Sequence, residues 1–118
     1  MLVQIKKGTR MFSNNKRELI SFNSSCIWLN SEVMKNLRGY KYIEAFYDKE
    51  REELAFKPLK VGNRNAWVIS KNDGKEGRIA PNNIYKHVGH SPKKGNVLHF
   101  KPYRRNGFVL IDIAHPLR

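Results

Sequence analysis

One succession of elements occurs twice in this chain, and it limits the available folds more than any other feature. In the first occurrence, Glu18–Phe22 alternates apolar and polar residues with the two-residue period of a half-buried strand. Asn23-Ser24-Ser25 reads as a turn, and Cys26–Leu29 as a compact apolar strand. Asn30 or Ser31 can cap a helix, because either side chain can accept from the free amides of the first turn. That helix, Ser31–Arg38, places Val33, Met34 and Leu37 on one face, and Gly39 stops it. Lys41–Tyr47 is a strand with Tyr42, Glu44 and Phe46 on one face and Ile43, Ala45 and Tyr47 on the other. Asp48–Glu53 is a charged hairpin tip and Leu54–Lys57 the return strand. Pro58 is expected to end the ladder, since it has no amide to donate.

After a short polar connection at 59–65, the succession begins again. Ala66–Ser70 reads as a strand, Lys71–Gly77 as a turn-rich loop and Arg78–Ala80 as a short strand. Pro81 suits a helix start, where its missing amide costs nothing. Asn82–Val88 repeats the apolar helical face with Ile84, Tyr85 and Val88, and Gly89 ends it. His90–Gly95 is an expanded loop and Asn96–Lys101 a strand. Pro102–Gly107 reads as a hairpin loop with Asn106-Gly107 as its turn signal, and Phe108–Ile113 closes the unit. The helices match at an offset of 51 residues, whereas Phe46 and Phe100 stand 54 apart, the extra residues falling in the His90–Gly95 loop. The expectation is a single domain over 1–118, mostly β with two short helices. It would be a small barrel built from two pseudo-symmetric β-β-α-β-β units, 18–58 and 66–113, preceded by a basic arm at 1–17.

Charge narrows the partner. The chain has 23 Lys and Arg against 10 Asp and Glu, a formal net charge of +13 and a pI near 10.1. Self-repulsion on that scale favours a polyanionic partner, with nucleic acid the first choice. Lys6, Lys7, Arg10, Lys16 and Arg17 precede the first acidic residue, Glu18. Arg64 lies in the connection. Lys71, Lys75 and Arg78 border a Gly-containing loop short enough to approach a phosphate backbone, with Arg78 suited to a bidentate contact with guanine. Lys101, Tyr103, Arg104 and Arg105 form a second basic patch, with Tyr103 available to stack on a base.

Other chemistry is poorly represented. Cys26 is the only cysteine, so neither an intrachain disulfide nor a Cys-based zinc site can form, and its apolar strand favours a buried small side chain. His87 and His90 have helical spacing, but Gly89 interrupts the helix between them, and His99 and His115 are not local to them. The acids of Asp48–Glu53 alternate with Lys49 and Arg51 on a tip rather than converging in a cleft. No phosphate-binding loop, dinucleotide fingerprint or nucleophile elbow occurs. The expectation is therefore a non-enzymatic protein with no cofactor, no metal and no catalytic residues. Trp28, Trp67, Phe46, Phe56, Phe100 and Phe108 fall in strands and are expected in the core. No apolar run approaches the length of a membrane span, and the N-terminal residues are too short for a signal core, which points to a cytoplasmic protein with no membrane partner.

The repeated unit, entered at its helices through Asn30-Ser31 and Pro81-Asn82, resembles the AbrB/MazE/SpoVT type of swapped-hairpin DNA-binding domain. In that family two copies interlock into one small barrel, usually as a homodimer. The resemblance implies two copies in one chain, a monomeric pseudo-dimer or a homodimer of such chains, and transcriptional regulation through double-stranded DNA. The family often carries a Gly-Arg beside the second strand. Gly77-Arg78 keeps it, whereas Ser25-Cys26 stands in its place in the first unit. The resemblance thus implies that Lys71, Lys75 and Arg78 carry base and backbone contacts, with Lys16 and Arg17 their nearest counterparts in the first unit. Two alternatives stay open. One is an interaction protein or inhibitor of a phage or other mobile element, binding an acidic protein or a protein–nucleic-acid complex. The other is a binder of single-stranded DNA or RNA.

Overall fold

The computed structural model describes Leu2 and residues 17–71, 75–89 and 91–117. The basic positions Lys6, Lys7, Arg10 and Lys16 lie outside the described residues. The described residues form two antiparallel sheets and two short helices. In order these are β1 (Ile20–Phe22), β2 (Ile27–Leu29), α1 (Ser31–Asn36), β3 (Tyr42–Asp48), β4 (Glu53–Leu59), β5 (Trp67–Val68), β6 (Ser70–Lys71), β7 (Gly77–Ile79), α2 (Asn82–Val88), β8 (Leu98–Phe100), β9 (Tyr103–Arg105) and β10 (Phe108–Asp112). Sheet A has the order β6-β7-β2-β1-β8, and sheet B the order β5-β3-β4-β10-β9.

Local chemistry explains most of these elements. Asn23 Oδ1 accepts from the Ser25 and Cys26 amides at 2.8 and 2.7 Å, closing the β1–β2 turn. Asn30, not Ser31, caps α1, accepting from the Val33 amide at 3.0 Å. Gly89 takes the left-handed conformation that ends α2, with φ 73°. Asn106 and Gly107 both have positive φ, 54° and 83°, as a two-residue hairpin turn requires. The Asp48 carboxylate accepts from the amides of Glu50 and Arg51, ordering the charged tip.

Three expectations about strands are corrected. Ala66–Ser70 is not one strand. Trp67-Val68 pairs with β3 in sheet B, and Ser70-Lys71 pairs with β7 in sheet A. Between them Ile69 is buried and its amide donates to Lys41 O at 2.9 Å, so the chain crosses from one sheet to the other on an apolar anchor. Tyr103–Arg105 is a strand rather than loop, because only Asn106-Gly107 is needed for the reversal. Pro58 does not end the ladder. It opposes Ile43 within β4, while the β10 pairing on its other side begins only at Phe56, leaving no partner for the amide that proline lacks. Two sheets stand where a closed barrel was expected, and the chain itself joins them at β5–β6 and β8–β9.

One core lies between the sheets and helices. Ile20, Phe22, Ile27, Leu29, Ile79 and Phe100 come from sheet A, Ile43, Leu54, Phe56, Val109 and Ile111 from sheet B, and Val33, Leu37, Ile84, Tyr85 and Val88 from the helical segments. Full burial of each large apolar side chain stabilises by roughly 1.5–3 kcal/mol. Phe22 sits at the aromatic centre, 4.9 Å from the Tyr85 ring and 4.8 Å from Phe100. Not all strand aromatics enter this core. Trp28, Trp67 and Phe108 are half-buried, and Phe46 is 48% exposed, stacked edge-on against Phe108. Phe46 shares the outward face of β3 with Tyr42 and Glu44, so its sequence match to the buried Phe100 is not a match of position. Cys26 is half-buried rather than fully enclosed.

Tyr85 ties the second helix to the first turn. Its hydroxyl lies 2.7 Å from the Asn23 carbonyl and 3.0 Å from that of Cys26, and burial pushes its pKa well above the ordinary tyrosine value. Replacing Tyr85 by Phe leaves the ring packing intact but removes the donor. A loss of about 1–2 kcal/mol in urea-monitored stability is expected, with no change in fold.

Candidate nucleic-acid interface

Sheet A has an inner and an outer face, set by strand alternation. Ile20, Phe22, Ile27, Leu29, Ile79 and Phe100 point inward. The intervening residues form one row across all five strands, because Ser70 opposes Arg78, Arg78 opposes Trp28, Trp28 opposes Ser21, and Ser21 opposes His99. Neighbours in such a row have side chains close enough to touch. The Arg78 guanidinium lies over the Trp28 ring, 5.9 Å from its centroid. The Trp28 indole N–H donates to the Glu76 carboxylate. Ser21 Oγ and His99 Nδ1 share a 2.7 Å hydrogen bond.

Gly77 allows this arrangement. A Cβ there would meet Met34 Sδ at 2.6 Å and Ile69 Cγ2 at 3.0 Å, so the glycine lets α1 pack directly over β7. The same packing brings α1 cations to the β6–β7 loop. Lys35, Arg38, Lys71 and Lys75 border one hollow of about 320 Å³ with Met34 and Leu37 as its apolar lining. Lys35 also contacts Glu32 at 3.2 Å. Among the described residues, Arg38, Lys71, Lys75 and Arg78 take part in no ion pair.

The sequence-predicted positions therefore divide. Lys71 and Lys75 share the hollow beside α1 at the β6–β7 edge of sheet A, whereas Arg78, on the same ribbon, faces outward. Arg17 is exposed beside it, its carbonyl accepting from Asn30 Nδ2 at 2.6 Å. Arg64 is exposed on the connection from β4 to β5, on the sheet B side. The second patch is largely neutralised. Arg104 grips Glu18 through two parallel hydrogen bonds of 2.6 and 2.5 Å. Arg105 binds Glu53 at 2.7 Å, and the Tyr103 hydroxyl donates to the same carboxylate. Burial, then that hydrogen bond, pushes the Tyr103 pKa up to about 12. Lys101 remains exposed beside them.

Sequence reasoning alone does not single out Trp28, Glu76, Lys35 and Arg38 as interface residues. For Trp28 the signal is present: with Ile27 and Leu29 directed inward, the period of two turns the residue between them outward.

Most of the acidic residues, though not Glu76 and Glu32, lie away from this face. Glu44, Asp48, Glu50, Glu52, Glu53 and Asp112, six of the chain's ten, lie on β3, β4, β10 and the β3–β4 tip. Among the described residues no group of three or more His, Cys, Asp or Glu is placed to hold a metal, and no helix is long and apolar enough to cross a membrane. No protein-family model, curated protein or solved structure matches the chain.

The ion pairs carry a pH signature. Burial raises the Glu18 carboxyl, but hydrogen bonds from Arg104 and Asn36 and the Arg104 charge outweigh it, leaving its pKa below the ordinary 4.5. Hydrogen bonds from Arg105 and then Tyr103 likewise hold Glu53 below 4.5. Both pairs contribute fully above the unfolded carboxylate value, and that contribution is lost as pH falls through the lowered folded values. Urea midpoints measured from about pH 6 down to about pH 3 should fall steeply below the mid-fours, and Glu18→Gln should flatten the fall.

Proposed function

We propose that this protein is a non-enzymatic DNA-binding protein, of regulatory type, that engages duplex DNA through the outer face of sheet A and the β6–β7 ribbon. The observation that carries this reading is the gathering of Lys35, Arg38, Lys71 and Lys75 around one hollow beside the β6–β7 ribbon, with Arg78 on the ribbon's outer face, while six of the ten acids lie on β3, β4, β10 and the β3–β4 tip. A two-stranded ribbon fits the major groove. β6 and β7 form such a ribbon at the edge of sheet A, with Arg78 facing outward to reach a base edge and the lysines placed for phosphates.

The topology also supports reading the two halves as versions of one unit. Each contributes an antiparallel pair to sheet A, with β2 and β7 adjacent, and a pair to sheet B, with β4 and β10 adjacent. The halves also pair crosswise: β1 of the first joins β8 of the second, and β5 of the second joins β3 of the first. That exchange is what an AbrB-like swapped-hairpin barrel, closed through β5–β6 and β8–β9, would require. In this reading the central pair, Trp28 opposite Arg78, marks equivalent positions. The counterpart of Gly77-Arg78 is then Ile27-Trp28 rather than Ser25-Cys26.

One observation favours a second reading. Trp28 presents an aromatic ring on the basic face, as a platform for unpaired bases does. Titrations with a duplex, a single-stranded DNA and an RNA of equal length separate the two. Duplex should bind tightest. About four or five phosphate contacts give a slope of log K against log salt near −4, so affinity should fall by roughly two to three orders of magnitude between 50 and 200 mM salt. Lys71→Ala and Lys75→Ala should each reduce the slope by about one. A salt-independent isotherm, or preference for either single strand, would overturn the duplex assignment.

A further inference from the structure

An acidic residue beside a polyanion-binding surface costs affinity, and Glu76, between Lys75 and the outward-facing Arg78 at the start of β7, is such a residue. Its position is held. The Trp28 indole N–H donates to one carboxylate oxygen, and Trp28 is itself fixed in β2 and backed by the Arg78 guanidinium. The anchor is neutral, so it orients the carboxylate without cancelling its charge. The other acids near sheet A and α1 are differently placed: Glu18 is gripped by Arg104 and Glu32 contacts Lys35. Glu76 takes part in no ion pair among the described residues. Beside it lies an open hollow of about 460 Å³, bounded by Trp28, Ser21 and His99 on the outer face of sheet A.

We propose that Glu76 is a specificity-determining residue of this face, accepting a hydrogen bond from the exocyclic amino group of cytosine or adenine and disfavouring every register that offers it a phosphate or a base carbonyl. The inference rests on the duplex-binding reading above. A carboxylate has only acceptors, and so do phosphate oxygens and the major-groove edges of guanine, O6 and N7. Cytosine N4 and adenine N6 are the donors that the major groove displays. A register that sets an acceptor against Glu76 forces two acceptors together and leaves the carboxylate oxygen not held by Trp28 desolvated and unpaired. A register that sets an amino group there satisfies it. The surrounding cations supply affinity for any duplex, and the fixed anion among them subtracts from that affinity unless the base matches.

The test needs a preferred sequence, obtained by selecting from a random duplex library with the wild-type protein. Wild type, Glu76→Gln and Trp28→Phe are then titrated with the selected duplex and a scrambled one at a single salt concentration, with thermal unfolding recorded for each. Glu76→Gln should bind the scrambled duplex about tenfold tighter and lose roughly tenfold in the ratio between the two duplexes. Trp28→Phe keeps a ring under Arg78 but frees the carboxylate. It should lower the ratio without the tenfold gain on scrambled DNA, and it tests the same anchor should Glu76→Gln fail to fold. An unchanged ratio in a folded variant of either kind overturns the inference while leaving duplex binding intact. A wild type that binds no duplex and yields no selected sequence removes the functional reading, and this inference with it.

Discussion

The pairing of β2 with β7 is the constraint on which the rest of the molecule depends. It joins residues about fifty positions apart and sets which side chains of sheet A enter the core. With Ile27, Leu29 and Ile79 committed inward, Trp28 and Arg78 have only the outer face available. A slip of β7 by one residue would turn Ile79 outward and bury Arg78, and a slip of β2 would turn Ile27 and Leu29 outward, so the hydrophobic pattern enforces the pairing strongly. Gly77, on the inward face of β7, completes the joint by making room for Met34 of α1, which brings Lys35 and Arg38 beside Lys71 and Lys75.

Charge is arranged around that joint. A chain of net charge +13 meets strong self-repulsion, and it limits this by concentrating acids on sheet B, where Arg104 and Arg105 are paired across strands with Glu18 and Glu53. The cations on the β6–β7 side are left with fewer acidic neighbours among the described residues. Attraction to a polyanion is therefore directional rather than a property of the whole surface. Within the proposed interface Glu76 modulates that direction, because it holds a negative charge where a phosphate would otherwise be welcome.

Much of the secondary structure was legible in the sequence. Period-two alternation located β1 and β3, and capping and turn residues such as Asn30, Gly89 and Asn106-Gly107 located the ends of elements, since each acts through its own backbone. The crossings at Ile69 and Pro102 were not legible. A run such as Trp67–Lys71 looks like one strand whether or not its partner changes midway, because pairing is decided by distant strands. The second basic patch shows the same limit. Arg104 and Arg105 look like unpaired cations until Glu18, 86 residues from Arg104, and Glu53 are brought against them. Residue type alone puts Trp28 and Phe46 in the core, although the alternation of their own strands places both outward.

If the proposed interface is right, the β6–β7 edge of sheet A with its neighbouring α1, and not sheet B, meets DNA. Backbone amide NMR of the 15N-labelled protein, titrated with a short duplex, tests this directly. Shift changes are expected to be confined to β2, β6, β7 and their loop, and to the α1 side at Lys35 and Arg38, with the β3–β4 tip unchanged. Changes centred on Phe46, Phe108 and Asp48–Glu53, with sheet A silent, would contradict it.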